Sequence, residues 1–345
     1  MKPRSSQIGD LPDTRHIVTK LTWLIVLSGG LALAMAASVA FGVRDVDFGD
    51  IVRALGGSSA TASEAAVSVR IPRTVLAALI GGGLAVSGVT MQAVTRNPLA
   101  DPGIFGVLAG AAFFVSCGIA FFDLSGQLPT IVVAITGSAV AAVFVYSVGS
   151  IGYGGATPLK LALAGAATTA ALSAMVSAVL LPRSDVMDQF RFWQIGSVGG
   201  ANWTDIAIAM PVFVVGVFIC LGCATQMNSL ALGDDIAAAL GLHVVRARLL
   251  ASLGAVIVCG VATALAGPIG FVGLIVPHLC RLLVGTDHRW LLPYSALCGA
   301  VLLVLADTLG RVIAKPSEIS VGILLPLMGA PLFIWIVRRY KMQGS

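Results

Sequence analysis

Long apolar stretches alternate with short polar ones along almost the whole chain. Residues 21–43, 74–95, 102–122, 161–181, 206–225, 290–306 and 319–337 each lack Asp, Glu, Lys and Arg. Each is near the roughly 20 residues that a helix needs to cross a hydrocarbon layer about 30 Å thick. Two further uncharged runs, 124–159 and 249–280, are too long for one helix. The first ends in Gly149-Ser150-Ile151-Gly152-Tyr153-Gly154-Gly155, which reads as loop, and the second breaks at Gly267-Pro268-Ile269-Gly270. The pattern predicts about ten membrane-crossing helices, with charged residues confined to connections and span ends. The first 20 residues are polar and hold Asp10 and Asp13, and the apolar run after them exceeds a signal-peptide core. They read as a cytoplasmic tail before a first transmembrane helix.

Composition fits this picture. Of 345 residues, 57% are hydrophobic and 11% charged, with a mean hydropathy of +0.97. Soluble domains carry about 25% charged residues. Forty glycines suit closely packed membrane helices. The formal charge of +5 is spread between apolar runs and forms no patch for nucleic acid. Threaded from a cytoplasmic N-terminus, the chain places more Lys and Arg in cytoplasmic than in outer connections. An even number of spans returns Arg338, Arg339 and Lys341 to the same side.

The chain is organised around residues 70–106. Arg70 and Arg73 precede an apolar span, which ends in the polar turn Arg96-Asn97-Pro98-Leu99-Ala100-Asp101-Pro102-Gly103. Residues 73–111 and 248–300 both run from a basic start through a glycine-containing span into a Gly/Pro break. They start on opposite sides of the membrane, so an inverted repeat of two five-helix halves is expected. The whole chain reads as a single permease domain.

The second stretch of interest is the connection 226–248. Asp234 suits a helix N-cap, residues 236–240 favour helix, and Gly241 suits a C-terminal stop. A helix this short is marginal alone, so a docking partner would explain it; an ordinary connecting turn is the alternative. No G-x-x-x-x-G-K-[ST] phosphate loop is present, and no span carries a charge at its centre to couple an ion gradient. The Cys220-x-x-Cys223 pair has no second pair or histidine cluster beside it and reads as two small residues on a membrane helix.

Here the resemblance becomes specific. Asp235-x-Ala-x-x-Leu-Gly, Arg70-Ile-Pro-Arg73, Met91-Gln92, Asn97-Pro98-Leu99-Ala100-Asp101-Pro102, Gly267-Pro-Ile-Gly-Phe-Val-Gly-Leu, Pro277-His278, Thr286-Asp287-His288-Arg289, Ala306-Asp307 and Gly329-Ala-Pro-Leu-Phe-Ile carry it. Together they resemble the iron-siderophore, haem and cobalamin permease family, the FecCD type of type II ABC importers. The resemblance implies an all-α permease of the bacterial cytoplasmic (inner) membrane, with both termini cytoplasmic. It pairs with a second copy or a paralogue, two ATPase subunits and an extracytoplasmic substrate-binding protein. ATP and magnesium belong to the ATPase subunits, and no cofactor, metal or catalytic residue is expected on this chain.

The same resemblance assigns sites. Gly233, Asp234, Asp235, Ala237, Ala238, Leu240 and Gly241 would form the helix that docks in the ATPase. Arg70, Arg73 and Arg311 would receive glutamates of the binding protein, against the plain reading of solvated or snorkelling loop charge. Asn97, Pro98, Asp101 and Thr157 would lie near a cytoplasmic gate, against the plain reading of turn and capping chemistry. His278 and His288 read as structural residues rather than haem ligands. An iron siderophore is the first substrate implied, then haem and cobalamin. An ion-coupled carrier and a non-transporting membrane scaffold are the readings from other classes.

Overall fold

The computed structural model describes the backbone of residues 14–341 except 59 and 153–155, and side chains within it except at 14–17, 104 and 332–341. Residues 1–13, residues 153–155 of the expected loop and the basic side chains at 338, 339 and 341 therefore lie outside the described residues.

The described chain is all helical. Its first half comprises α1 (Thr14–Ala40), α2 (Phe48–Leu55), α3 (Ala62–Thr95), a 3-10 turn (Pro102–Phe105), α4 (Val107–Phe122), α5 (Gln127–Ser150), α6 (Pro158–Leu180) and α7 (Ser184–Gln194). The second comprises α8 (Trp203–Gly222), α9 (Ala224–Ala231), α10 (Asp234–Ala239), α11 (Val244–Ala266), α12 (Val272–Val284), α13 (His288–Ile313) and α14 (Val321–Lys341). Seven of these, α1, α3, α5, α6, α8, α11 and α13, are long and apolar enough to cross a membrane. The described parts of α4, α12 and α14 form three shorter apolar helices, and seven with three make the expected ten.

The helix α3 is the centre of the bundle. In its most apolar window 83% of residues are buried, against 11% in α1. At 34 residues it is about 51 Å long, well beyond the hydrocarbon thickness. Its packing follows from glycine. A Cβ on Gly81 would lie 2.2 Å from the Gly299 carbonyl of α13, and one on Gly88 would lie 2.0 Å from the Gly273 carbonyl of α12. Apolar faces gain little from meeting in lipid, so such close approach supplies the dispersion contact that holds these helices together. The α4–α5 pair uses the same device at Gly110 and Gly137.

Ser87 of α3 donates to the Ala255 carbonyl of α11 at 2.8 Å, and a Cβ on Gly83 would touch Val258. Rising numbers on α3 thus meet falling numbers on α11, so the two helices run antiparallel. Arg73 and Arg248, the basic starts of the two repeats, consequently lie at opposite ends of the bundle. The break after α11 falls where Gly267 stands, at φ +71°, and its missing Cβ would lie 2.3 Å from the Trp193 carbonyl.

Three boundaries differ from expectation. Residues 48–55, read as connection, form α2 because Asp47 and Asp50 make a capping box around its first turn. The helix α3 begins at Ala62 with its own Thr61–Glu64 capping box, so Glu64, Arg70 and Arg73 lie inside it rather than before it. Likewise α13 runs to Ile313, which places Asp307 within a helix and not in a connection.

Candidate functional site: two charged clusters at the ends of the bundle

At one end of the bundle, arginines from α3 and α13 converge on the end of α1. A helix leaves its last carbonyls without intrahelical partners and its C-terminus partly negative. Here Arg70 Nη1 donates to the Val39 and Ala40 carbonyls at 3.1 Å each, and Arg311 Nη1 donates to Ser38 at 3.1 Å. The Phe41 amide takes the Ala37 carbonyl at 2.8 Å. Arg311 also donates to Ser38 Oγ at 2.7 Å, and that hydroxyl lies 2.7 Å from Thr74 Oγ1. The two arginines are the C-cap that the sequence of α1 lacks.

Arg73 completes the cluster. It faces Asp307 through Nε and through Nη2 at 2.7 Å, and its Nη1 reaches Glu318 at 2.7 Å. Arg311 Nε shares the same Asp307 carboxylate at 3.0 Å. Arg73, Arg311 and Asp307 are 7%, 2% and 1% exposed, and Arg70 is 6% exposed. All three arginines are buried and engaged within this chain, which sets aside the plain reading of solvated loop charge. Among the described residues, exposed cations at this rim include Arg44, Arg53, which pairs with Asp50 and with Glu64 at 2.8 Å, and Lys315, which pairs with Asp45 at 3.1 Å. Their positions in the chain gave no hint of this difference, which depends on helix packing.

The opposite end holds the 226–248 connection. The helix α10 has a single buried residue, Ala237, and turns Asp235, Ile236 and Leu240 outward, Ile236 being 53% and Leu240 66% exposed. Gly241 closes it at φ +83°: its amide meets the Ala238 carbonyl at 2.9 Å, and that of Leu242 meets Ala237 at 3.0 Å, a Schellman pair. The expected N-cap is corrected. Gly233, at φ +111°, holds that position without a side-chain bond, and Asp234 is the first helical residue. Its carboxylate turns away from the helix to the guanidinium of Arg96, and to Arg248 Nη2 at 2.9 Å.

The remaining candidates gather on the same end. Asn97 Oδ1 accepts from the Leu99 amide at 2.9 Å, and Asp101 Oδ1 from the Gly103 amide at 2.8 Å, so both build turns. Burial pushes the Asp101 carboxyl up, opposed by that amide bond. Pro98 lies exposed between them, and Thr157 Oγ1 accepts from the Lys160 amide at 3.4 Å to cap α6. The 3-10 turn that follows Asp101 packs against α6.

A cleft of about 520 Å³ opens beside this turn, lined by Gln92, Arg96, Pro98, Asn228, Arg281 and Asp287 among others. Burial opposes ionisation of Asp287, but bonds from Asn228 at 2.6 Å and the Arg289 amide at 3.0 Å hold its carboxyl below the usual range. His288 Nδ1 lies 2.7 Å from Asn228 Oδ1, and His278 Nδ1 lies 3.1 Å from the Leu274 carbonyl. Cys220 and Cys223 are free thiols, both buried. Among the described residues no three His, Cys, Asp or Glu side chains come together as a metal site.

Two features stand out together: a bundle of about ten apolar helices around one central helix, and a short helix exposed at one end with its apolar side chains outward. They mark a transmembrane permease. The chain belongs to the FecCD transport family, whose profile matches residues 30–339. It is 41% identical over 317 residues to the ferric enterobactin transport system permease protein FepD of Escherichia coli (strain K12), covering 91% of this chain and 94% of that one. It is also 41% identical over 284 residues to the hemin transport system permease protein HmuU of Yersinia pestis, covering 81% and 84%. A solved structure of an inward-facing conformation of a metal-chelate type ABC transporter superposes with a TM-score of 0.81 at 30% identity, covering 92% of this chain and 99% of that one.

Proposed function

We propose that the chain is the permease subunit of a binding-protein-dependent ABC importer in the bacterial cytoplasmic membrane, and that its cargo is a ferric siderophore. Two such subunits, copies or paralogues, form one pore. The observation that carries the importer reading is α10. Outside the spans, a six-residue helix has no reason to expose Ile236 and Leu240 unless another protein covers them. An ATPase subunit supplies that cover and the energy, with ATP and magnesium bound there. The α10 end faces the cytoplasm, and the substrate-binding protein meets the Arg73 end.

At that outer end, the buried cluster of Arg70, Arg73 and Arg311 holds the rim in shape. The exposed Arg44 beside it offers an acidic lobe a contact. Transport is then gating between helices that rock as α10 moves, with no covalent step on this chain. The siderophore reading rests on likeness to the ferric enterobactin permease, and haem is the second reading, from the hemin permease at equal identity over a shorter stretch.

Uptake of labelled ferric siderophore, haem and cobalamin in cells lacking this chain, and in cells with it restored, tests both levels. Rescue of the ferric siderophore alone is the expected result. Rescue of haem alone moves the cargo to the second reading. Rescue of none, with the ATPase and binding-protein subunits co-expressed, contradicts an import role for these three chelates.

A further inference from the structure

The Asp234 carboxylate joins three separate segments. Its first partner, Arg96, is the left-handed residue, φ 48°, that ends α3 and directly precedes the 97–102 turn. Its second, Arg248, is on the first turns of α11 and is 3% exposed. Arg248 Nη1 in turn donates to the Ala156 carbonyl at 2.9 Å, one residue before the Thr157 cap of α6. One carboxylate on α10 therefore reaches the end of α3 directly and the start of α6 through a single guanidinium.

The seating of α10 makes this link mechanical. Only Ala237 anchors the helix by burial. Gly233 and Gly241, which bracket it, have positive φ, and nothing lies within 4 Å of where their Cβ atoms would be. The helix is thus a short rigid piece between two open hinges. The exposed members, Arg96 and Asp234, make a pair of the kind that is weak in isolation. Arg248 differs: it is buried, its Nε has no hydrogen-bond partner, and among the described residues Asp234 is the acid that pairs with it. Removing Asp234 from it would leave an uncompensated buried cation, which is strongly unfavourable. A displacement of α10 is therefore cheaper if Arg248 and Arg96 follow the carboxylate than if they let it go.

We propose that Asp234 is the residue through which movement of α10 is passed to the 97–102 turn and to the start of α6. Arg96 and Arg248 are its two tethers and act as positioning residues. The proposal rests on the importer reading of α10. It differs from assigning the helix as a docking element, because Asp234 faces inward to this chain's own arginines and its role is separate from the grip on the ATPase.

The test uses the assembled importer, with permease, ATPase subunits and binding protein in proteoliposomes, reading substrate uptake and ATP hydrolysis together. For Asp234→Asn, uptake per ATP hydrolysed falls about tenfold while the ATPase subunits still co-purify in full. Asp234→Glu, which keeps the charge, restores most of the ratio. Arg96→Gln serves where Asp234→Asn does not fold, since Arg96 is partly exposed, and it lowers the same ratio. A wild-type ratio in Asp234→Asn or Arg96→Gln overturns the proposal. Loss of the ATPase subunits from Asp234→Asn also overturns it, by making Asp234 a docking contact. Wild-type proteoliposomes with no ATP-dependent uptake would contradict the importer reading itself, whatever the variants do.

Discussion

The two ends of the bundle use the same ingredients, arginine and aspartate, in opposite settings. At the Arg73 end, Arg73, Arg311 and Asp307 are almost fully enclosed, and every guanidinium has carbonyls, hydroxyls or carboxylates as partners. At the α10 end, Asp234 and Arg96 keep 39% and 35% of their side chains exposed, and Asp234 sits on a helix between two glycine hinges. Desolvated charge locked by several partners cannot be rearranged without large cost, whereas a half-solvated carboxylate on a hinged helix can move together with the arginines it holds. The first arrangement suits a rim that must keep its shape, and the second suits a part that has to move.

Breaking the locked end has the largest expected effect. Asp307→Ala removes the carboxylate shared by Arg73 and Arg311 and leaves both cations buried. A loss of about 3–5 kcal/mol is expected, read as a large fall in thermal midpoint and in yield of monodisperse protein in detergent. A thermal midpoint close to that of the wild type would show that the cluster is not a lock.

Disturbing the hinged end costs less but acts on function. In Gly241→Ala the new methyl meets open space, so the cost is the left-handed backbone alone, about 1–2 kcal/mol and confined to α10. The thermal midpoint should hardly change, because α10 buries one side chain, while ATP-driven uptake falls. A shift in thermal midpoint as large as that of Asp307→Ala would erase the distinction between the ends. The smallest effect is expected away from both charged clusters. Arg191 and Asp188 of α7 pair at 3.5 Å with 64% and 74% exposure, so Arg191→Ala should change stability by under about 0.5 kcal/mol in a thermal melt.

Much of this architecture was legible in the chain. Uncharged runs about 20 residues long revealed the spans because a bilayer imposes that length on any helix crossing it. The short helix before Gly241 was legible too, since a Schellman stop needs a residue at ease with positive φ, and Gly supplies it. Capping boxes concealed two boundaries. The pairs Asp47–Asp50 and Thr61–Glu64 are charged or polar, which marked them as connection although they begin helices.

The fate of the charges was not legible. Arg70, Arg73 and Arg311 stand at span ends, where solvated or snorkelling charge is the plain expectation and docking to a binding protein is what the resemblance adds. Their burial depends on α1 ending beside α3 and α13 with bare carbonyls, a fact of packing between residues more than 25 positions apart in the chain. The same holds for Asp234. Its spacing suggested a cap, but Arg96 and Arg248, distant in sequence, claim its carboxylate. Asn97, Asp101 and Thr157 have local bonds that explain them as turn and cap residues, and their place at the α10 end is what ties them to the proposed gate.

The most direct test of the central claim is uptake of a ferric siderophore by proteoliposomes holding this chain, its ATPase subunits and the binding protein, with and without ATP and with an uncoupler. The account expects uptake that requires ATP and both partners and that persists when ion gradients are collapsed. Uptake that proceeds without the ATPase subunits and disappears with the uncoupler would contradict it, and would make the chain an ion-coupled carrier.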